Sequence, residues 1–329
     1  MLDFSRSGDS TLSASQEAKD SAQLRVILAT PRGFCAGVKR AIDAVRDALA
    51  VHGPPVYVRR AIVHNVAVVE SLENEGAVFV EELDEVPAGA VVLFSAHGVS
   101  PSVAAEARTR GLRSYDAVCP LVMKVHREVE QHDRNGRALI LVGHVGHPEI
   151  EGTLGFARSS PAFVVSSCQD VEALPLDDAT PSAFAIQTTY SVDDAASIVE
   201  ALRKRFTDLV GPSSSDICYA TTNRQAAVHR LAPLSDCVIV VGEAFSSNAC
   251  RLAETARLYC PHVQLVPEPY AIEWTKVPTQ GTIGITAAAS TPEASVQAVI
   301  AAFGERFSIE VEELELLREK AVFKPLAIS

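Results

Sequence analysis

Short hydrophobic runs alternate along the chain with segments of helical periodicity, beginning at Leu24. The runs at 91–94 and 138–142 are brief, continuous and rich in β-branched residues, as in strands buried on both faces. Longer segments, with apolar residues three or four positions apart, separate them. This alternation predicts an α/β protein with mostly parallel sheets. Further runs of the same kind lie at 24–29, 184–186, 238–241 and 282–285.

Three cysteines stand where a hydrophobic run gives way to a helical pattern. They are Cys35, Cys119 and Cys218, and Pro120 directly follows the second, as is common in a first helical turn. Helix N-termini favour thiolate over thiol, so we expect three low-pKa sulfurs. Intervals of 84 and 99 residues suggest three small α/β units that each present one helix N-terminus to a common centre. The predicted limits are a disordered tail at 1–23, domains at 24–118, 119–217 and 218–310, and a C-terminal tail at 311–329.

A set of three thiolates without a fourth ligand has a chemical meaning. Iron-sulfur clusters usually take four thiolates, so three would leave one iron open to a substrate. The wide spacing does not match a zinc motif of the C-x-x-C type. On spacing alone, however, the alternative that these are ordinary buried cysteines is preferred. The other cysteines, which have no comparable setting, are interpreted as structural: Cys168, Cys237, Cys250 and Cys260.

Composition narrows the classes of function. The 329 residues carry a formal charge of −12, which argues against a general nucleic-acid surface but not against a small pocket for an anion. Seven cysteines without a secretory segment predict a reducing compartment, and no apolar stretch is long enough for a membrane span. Acidic residues near the N-terminus argue against a transit peptide. We therefore expect a cytoplasmic protein that binds neither nucleic acid nor membrane.

Polar side chains follow several of the predicted strands. His64 and His97 each follow a hydrophobic run, and the segment at 246–248 reads Ser-Ser-Asn. Imidazoles, hydroxyls and an amide at helix N-termini can bind a diphosphate without many lysines. The competing interpretation is helix capping, with Ser100 as an N-cap and the segment 290–293 as a capping box.

Glu149 is the candidate proton donor. Pro148 rigidifies the turn and fixes the directions of the flanking His147 and Glu149. A carboxyl group beside apolar residues can have a raised pKa and act as a general acid. The alternative is that Glu149 and Glu151 simply begin a helix, where acidic residues favour the dipole.

Taken together, the motifs resemble those of the LytB family, the 4-hydroxy-3-methylbut-2-enyl diphosphate (HMBPP) reductases. The resemblance covers about residues 24–307, with the motifs in one order. The motifs are PRGFCAGV (31–38), SAHGVSP (95–101), CPLV (119–122), HPEIEGT (147–153), QTT (187–189), DICYATTNRQ (216–225) and SSN (246–248).

The resemblance implies a trefoil of three α/β domains around a 4Fe-4S cluster. Its ligands would be Cys35, Cys119 and Cys218, and the fourth iron would take the substrate's hydroxyl oxygen. Glu149 would deliver protons while that hydroxyl leaves as water, giving isopentenyl and dimethylallyl diphosphates at the end of the non-mevalonate isoprenoid pathway. Ferredoxin or flavodoxin would supply electrons. The implied substrate-binding residues are His64, His97, His147, Thr188, Ser246, Ser247, Asn248 and Ser290.

Five positions depart from what is usual in that family, none of them a ligand or the proposed acid. Two alternatives stay open. An iron-sulfur hydro-lyase also removes a hydroxyl but needs no external electrons, whereas a non-catalytic paralogue would bind cluster and diphosphate without turnover. The paralogue draws its support from the departures at Phe245 and Ala288, and the retained Glu149 argues against it. The departures are Lys39, Val118, Met123, Phe245 and Ala288.

Overall fold

The computed structural model describes residues 23–329. It contains three parallel β-sheets with helices packed against them, so the predicted α/β class is confirmed. The predicted tail at 1–23 lies outside the described residues except for Gln23, which begins the first strand. Within the described part of the chain, no helix combines the length and apolar character needed to cross a bilayer.

The hydrophobic runs form strands, and each predicted run falls within one of them. The strands are β1 (Gln23–Thr30), β2 (Val56–Arg59), β3 (Ala77–Val80), β4 (Val91–Phe94), β5 (Arg113–Asp116), β6 (Ala138–Val142), β7 (Ala162–Val165), β8 (Ser182–Ile186), β9 (Leu209–Val210), β10 (Cys237–Val241), β11 (Val263–Val266), β12 (Gly281–Ala287) and β13 (Ser308–Glu315).

Helices connect most of the strands. The α-helices are α1 (Ala36–His52), α2 (Val66–Glu75), α3 (Pro101–Thr109), α4 (Pro120–Arg134), α5 (Pro148–Leu154), α6 (Cys168–Glu172), α7 (Val192–Arg205), α8 (Tyr219–Leu231), α9 (Ser247–Arg257) and α10 (Glu293–Arg306).

Local chemistry explains where several helices begin. Ser100 is the N-cap of α3, its hydroxyl accepts the Val103 amide, and Pro101 takes the first helical position. The predicted cap at Ser100 is therefore confirmed. The predicted capping box at 290–293 is wrong, because Pro292 caps α10 without a side-chain hydrogen bond and the Ser290 hydroxyl donates elsewhere.

The three sheets share one strand order. Two are four-stranded, with orders β3-β2-β4-β5 and β7-β6-β8-β9, and the third has the order β11-β10-β12-β1-β13. The fourth strand of each sheet leads to one of the three cysteines: β5 to Cys119, β9 to Cys218 and β1 to Cys35. The three cysteines therefore occupy equivalent places in three similar units.

The first strand belongs to the third sheet. The predicted first domain, 24–118, includes this strand, but β1 pairs in parallel with β12 on one side and β13 on the other. The physical reason is burial: Leu24, Val26 and Leu28 enter the apolar core of the third unit. The division points near Cys119 and Cys218 stay predictions.

The C-terminal segment crosses between units. β13 runs to Glu315, beyond the predicted domain limit at 310, and pairs with β1 along its length. Farther along, Leu326 and Ile328 pack against the core of the first unit. Buried Arg224 on α8 forms an ion pair of 2.9 Å with Glu319, which ties the segment to the third unit. The predicted tail thus connects two units.

Candidate active site

All twelve residues that the sequence assigned to a site line a single cavity where the three units meet. The cavity has a cysteine end, an acidic group on one wall, and a histidine and hydroxyl end. The twelve are Cys35, His64, His97, Cys119, His147, Glu149, Thr188, Cys218, Ser246, Ser247, Asn248 and Ser290.

The three cysteines lie at the N-termini of three helices. Cys35, Cys119 and Cys218 are the N-caps of α1, α4 and α8. The sulfurs of Cys35 and Cys218 each accept a backbone N–H from their own first turn at 3.4 Å. A Cβ at Gly37 would lie 2.8 Å from the Cys119 sulfur and 3.8 Å from the Cys35 sulfur. Only glycine therefore lets the first turn of α1 approach the sulfur of the second unit.

Burial outweighs the helix dipole at two of these thiols. It raises the pKa of Cys119 to about 12, and the neighbouring Cys35 and Cys218 sulfurs push in the same direction against the amide hydrogen bonds. Burial likewise raises the pKa of Cys218 to about 11, although the Thr221 hydroxyl lies 3.2 Å from its sulfur. The expectation of low-pKa sulfurs is therefore wrong for these two cysteines without a metal. A metal bound by these sulfurs would have to displace their protons.

The cysteine end has the donor chemistry of an iron-sulfur site. Its three thiols are free and line one cavity, and the Cys35 and Cys218 sulfurs lie close enough to raise the pKa of Cys119. Iron-sulfur clusters are held by cysteine thiolates, so these residues fit such a group.

Three imidazoles meet at the other end. The ring centroids of His64 and His97 are 4.2 Å apart, and those of His147 lie 5.5 and 5.9 Å from them. Burial lowers the pKa of His64 to about 4 and that of His147 to about 3. The pKa of His97 is also lowered, first by burial and then by the other two rings. At neutral pH the empty site therefore holds three uncharged imidazoles.

Several polar atoms at this end lack a partner. In the described chain, the Nε2 atoms of His64 and His147 and the amide nitrogen of Asn248 are buried without a hydrogen bond. Buried polar groups in native proteins are rarely unsatisfied, so each such atom needs an explanation. A ligand rich in acceptor oxygens would satisfy all three.

Hydroxyls and a helix N-terminus complete this end. Ser246 caps α9, and its hydroxyl accepts the Ala249 amide at 3.4 Å. The side-chain oxygen of Asn248 accepts the Ala289 amide at 2.8 Å, which fixes its nitrogen toward the other side. The Ser290 hydroxyl donates to the carbonyl of His64 at 3.0 Å and joins the third unit to the first.

Glu149 is a buried residue of the cavity lining. Its side chain is 2% exposed, and its two oxygens accept the Thr188 amide at 2.6 Å and the Thr188 hydroxyl at 2.8 Å. Burial raises the pKa of Glu149 to about 7, against the opposing effect of those hydrogen bonds. A carboxyl group with that pKa can both hold and release a proton at neutral pH.

Glu149 and Glu151 do begin a helix, as the alternative interpretation proposed, but their side chains have different surroundings. Both lie in the first turn of α5. Glu151 points away to an ion pair of 2.6 Å with Arg60 of the first unit. Glu149 instead faces the cavity, so only Glu149 has the position of a proton donor.

Sequence reasoning did not assign three polar residues that the site uses. Thr189 and Thr221 line the cavity. Gln187 connects residues around the cavity by hydrogen bonds. Its amide nitrogen donates to the hydroxyls of Thr189 and Ser247, and its side-chain oxygen accepts the His144 amide. The signal for Gln187 and Thr189 was their position directly after β8, and that for Thr221 was its place in the first helical turn after Cys218.

Two of the family departures lie at the histidine end. Phe245 is 54% exposed, and its ring centroid is 5.9 Å from that of His64 in an edge-on arrangement. Ala288 is fully buried, and a Cβ at Gly242 would lie 3.0 Å from its methyl group. Neither Phe245 nor Ala288 is among the residues that line the cavity.

Comparison with known proteins agrees with this arrangement. The family model described as LytB protein matches residues 26–304. A 4-hydroxy-3-methylbut-2-enyl diphosphate reductase of Beijerinckia indica is 52% identical over 93% of this chain and 97% of its own length. The reductase of the same name from Bordetella pertussis is 51% identical over 92% of this chain and 93% of its own length.

Solved structures give the same result. The E-1-hydroxy-2-methyl-but-2-enyl-4-diphosphate reductase of Plasmodium falciparum aligns with a TM-score of 0.88 and 35% identity, over 93% of this chain and 96% of that one. A second structure, an (E)-4-hydroxy-3-methyl-but-2-enyl diphosphate reductase described as the terminal enzyme of the non-mevalonate pathway, aligns with a TM-score of 0.61 and 31% identity, over 86% and 99%. The predicted trefoil-type α/β fold is confirmed by these neighbours and the three sheets, and the chain belongs to the LytB protein family.

Proposed function

We propose that this protein is an HMBPP reductase, which removes the hydroxyl group of (E)-4-hydroxy-3-methylbut-2-enyl diphosphate to give isopentenyl and dimethylallyl diphosphates. The substrate takes up two electrons and two protons and releases water. The observation that carries the proposal is the single cavity in which three thiols, a carboxyl group with a pKa of about 7 and three imidazoles face one another.

Cys35, Cys119 and Cys218 would hold a 4Fe-4S cluster. When bound, the cluster supplies electrons and a Lewis-acidic iron with an open position. The thiols must lose their protons first, and the amides of their own helix turns then stabilise the thiolates. Gly37 keeps the space between two sulfurs free of a side chain.

The histidine end would bind the diphosphate. The unpartnered Nε2 atoms of His64 and His147 and the amide of Asn248 are donors that suit phosphate oxygens. Ser246 and Ser247 lie at the N-terminus of α9, where free amides and the dipole favour an anion. His97 and Ser290 complete this set, and the diphosphate would charge the imidazoles by raising their pKa.

Glu149 would hold and deliver protons. Its carboxyl group lines the same cavity as the cysteines and the histidines and is fixed by both hydrogen bonds from Thr188. With a pKa of about 7 it can be protonated before the reaction and reprotonated between turnovers. Thr188 would act as a positioning residue, because it sets the direction of the carboxyl oxygens.

Electrons would come from ferredoxin or flavodoxin, and we place the enzyme in the cytoplasm. The deciding experiment is anaerobic oxidation of a reduced viologen dye by the cluster-reconstituted protein, with and without HMBPP, with the products identified by mass spectrometry. Oxidation that depends on substrate and yields both five-carbon diphosphates supports the proposal. Dehydration without dye oxidation would indicate the hydro-lyase, and an intact cluster without turnover would indicate the non-catalytic paralogue.

A further inference from the structure

Asp216 is a buried acidic residue to which the proposed mechanism gives no part. It is the first residue of the motif at 216–225, two positions before Cys218, and its side chain is fully buried. A charge inside a protein is costly unless it is paired and hydrogen-bonded. Both carboxylate oxygens of Asp216 meet that condition: one accepts the Lys124 ammonium at 2.8 Å and the other accepts the Ile186 amide at 2.9 Å.

Lys124 joins this carboxylate to the helix that begins after Cys119. It lies on α4, and its side chain is 28% exposed. Its ammonium also donates to the carbonyl of Ser214 at 2.9 Å and lies 3.5 Å from the carboxylate of Glu128, one turn along the same helix. The ion pair therefore fixes the loop before α8 against α4.

The second bond of Asp216 reaches the segment that holds the proton donor. Ile186 is the last residue of β8, and Thr188 follows two positions later. The amide and the hydroxyl of Thr188 donate to the two carboxyl oxygens of Glu149 at 2.6 and 2.8 Å. Asp216 thus binds one end of the three-residue segment 186–188, and Glu149 is bound by the other end. A shift of this segment would turn the Glu149 carboxyl group.

Asp216 and Glu149 are also close enough to interact through charge. Burial is the main cause that raises the pKa of Glu149, and the negative charge of Asp216 adds to it, against the hydrogen bonds from Thr188. Stability alone does not explain an ion pair at this place, because apolar residues of the same size often stabilise a protein as well or better.

We propose that Asp216, held by Lys124, is a positioning residue that fixes the segment 186–188 and thereby the direction of the Glu149 carboxyl group. This inference rests on the proposed function, in which Glu149 delivers protons. Asp216 is not among the residues that line the cavity, so it acts through Thr188 and not on the substrate. A misplacement of about 1 Å in a reacting group can cost about 10²-fold in rate.

The first test is Asp216→Asn, which keeps the size of the side chain. An amide has only one acceptor oxygen, so its NH2 group must face either the Ile186 amide or the Lys124 ammonium, and both are donors. With reduced viologen as electron donor, kcat for HMBPP should fall by about 10- to 100-fold. KM should stay near the wild-type value, because the diphosphate-binding residues are untouched, and iron and sulfide content should be unchanged.

Infrared spectroscopy of the cluster-free protein gives a readout that needs neither cluster nor turnover. At about pH 5, below the pKa of about 7 of Glu149, its protonated carboxyl group has a C=O band. In each protein this band is identified by its absence from the matching Glu149→Gln variant. Hydrogen bonds accepted by a carbonyl lower its stretching frequency, so Asp216→Asn should move the band to higher frequency as the bonds from Thr188 weaken.

The matched control is Asp133→Asn, the same change at another buried aspartate of α4. Asp133 accepts the amides of Ser159 and Ser160 at 3.0 and 2.8 Å and does not line the cavity. This variant should lower the temperature of thermal unfolding but leave kcat and the Glu149 band as in the wild type. Loss of stability without loss of catalysis separates a purely structural aspartate from a positioning one.

Two variants of Lys124 keep the proposal testable if Asp216→Asn does not fold. Lys124→Met removes the ammonium and should reduce kcat and move the Glu149 band, whereas Lys124→Arg keeps a donor for the carboxylate and should restore both. An unchanged Glu149 band overturns the proposal. So does loss of the cluster in proportion to activity, because Asp216 would then act on Cys218. A wild type without HMBPP turnover would count against the proposed function, while the infrared band would still decide the role of Asp216.

Discussion

Burial leaves titratable side chains uncharged at both the cysteine end and the histidine end of the cavity, although it acts on opposite kinds of group. At the cysteine end burial raises the pKa of Cys119 to about 12, and at the histidine end it lowers the pKa of His64 to about 4. Cys119, Cys218 and the three imidazoles are therefore neutral at pH 7 without a ligand. Under the proposed function the two ends differ in what a ligand would do: a cluster would displace protons from the cysteines, whereas a diphosphate would add protons to the imidazoles.

Removing one thiol should have the largest effect on activity, because it takes away a proposed ligand of the cluster while leaving the histidine end unchanged. We expect Cys119→Ser to lose or strongly weaken the cluster, measured as iron and sulfide content and by the visible spectrum after anaerobic reconstitution. Cys237→Ser, at a buried cysteine of the third unit's core, is the control and should keep the cluster. An intact cluster in Cys119→Ser would remove Cys119 from the ligand set.

Glu149→Gln should lower turnover while leaving both ends in place. The amide keeps the size of the side chain but cannot donate the proton, so we expect kcat to fall by about 10² to 10⁴. Cluster content and diphosphate affinity should be nearly unchanged. The control is Glu151→Gln, whose side chain pairs with Arg60 outside the cavity. Near-normal turnover of Glu149→Gln would contradict its role as the acid.

Proton uptake on diphosphate binding tests the histidine end. Because the pKa of His64 is about 4 in the empty site, a ring that becomes charged must take its proton from solvent, and affinity should rise as the pH falls from 7 toward 5. Calorimetry in buffers of different ionisation enthalpy measures the protons taken up. His64→Gln should reduce the uptake and lower affinity by about tenfold, the order expected for one hydrogen bond to a charged group. Equal uptake in both proteins would show that His64 stays neutral.

The same histidines should make the empty protein sensitive to acid. His64 and His147 have folded pKa values of about 4 and 3, below the unfolded value of 6.5, so the unfolded chain binds more protons below pH 6.5. Stability should therefore fall as the pH decreases from 6.5 through 4. Thermal unfolding of the cluster-free protein measures this loss, and His64→Gln/His147→Gln should show a weaker dependence on pH. An unchanged dependence would mean that other groups control acid stability.

The smallest effect is expected at Phe245. Its ring lies beside His64 but is half exposed, so replacement by asparagine should change KM for HMBPP by only a few-fold, about 1 kcal/mol or less for one aromatic contact. The kcat should remain near that of the wild type. Recovery of a large amount of activity in Phe245→Asn would instead favour the view that this departure impairs catalysis.

The sequence predicted the strands and the site residues well because their signals are local. Continuous runs such as 138–142 are strands by their own composition, and Pro148 fixes His147 and Glu149 within one turn. The position of Glu149 in a cavity, however, depends on Thr188, which follows the distant strand β8. Its chemical role therefore came from the family resemblance together with the local motif, not from periodicity.

The pairing of strands that are distant in the chain could not be predicted from the sequence. The run at 24–29 has the same character as the others, and nothing in it indicates that its partners are β12 and β13. The prediction of low-pKa cysteines failed for a similar reason, because the helix dipole is a local effect whereas desolvation depends on all three units. Ser290 also bonds across units to His64 instead of capping its own helix.

The place of β1 in the third sheet also orders events during synthesis. The strand that leads to Cys35 leaves the ribosome early, but it has no sheet to join until β12 and β13 have been made. Chains emerge and fold from the N-terminus, so the first and second sheets can form while β1 is still unpaired. Cys35 is therefore held in place only after almost the whole chain has emerged.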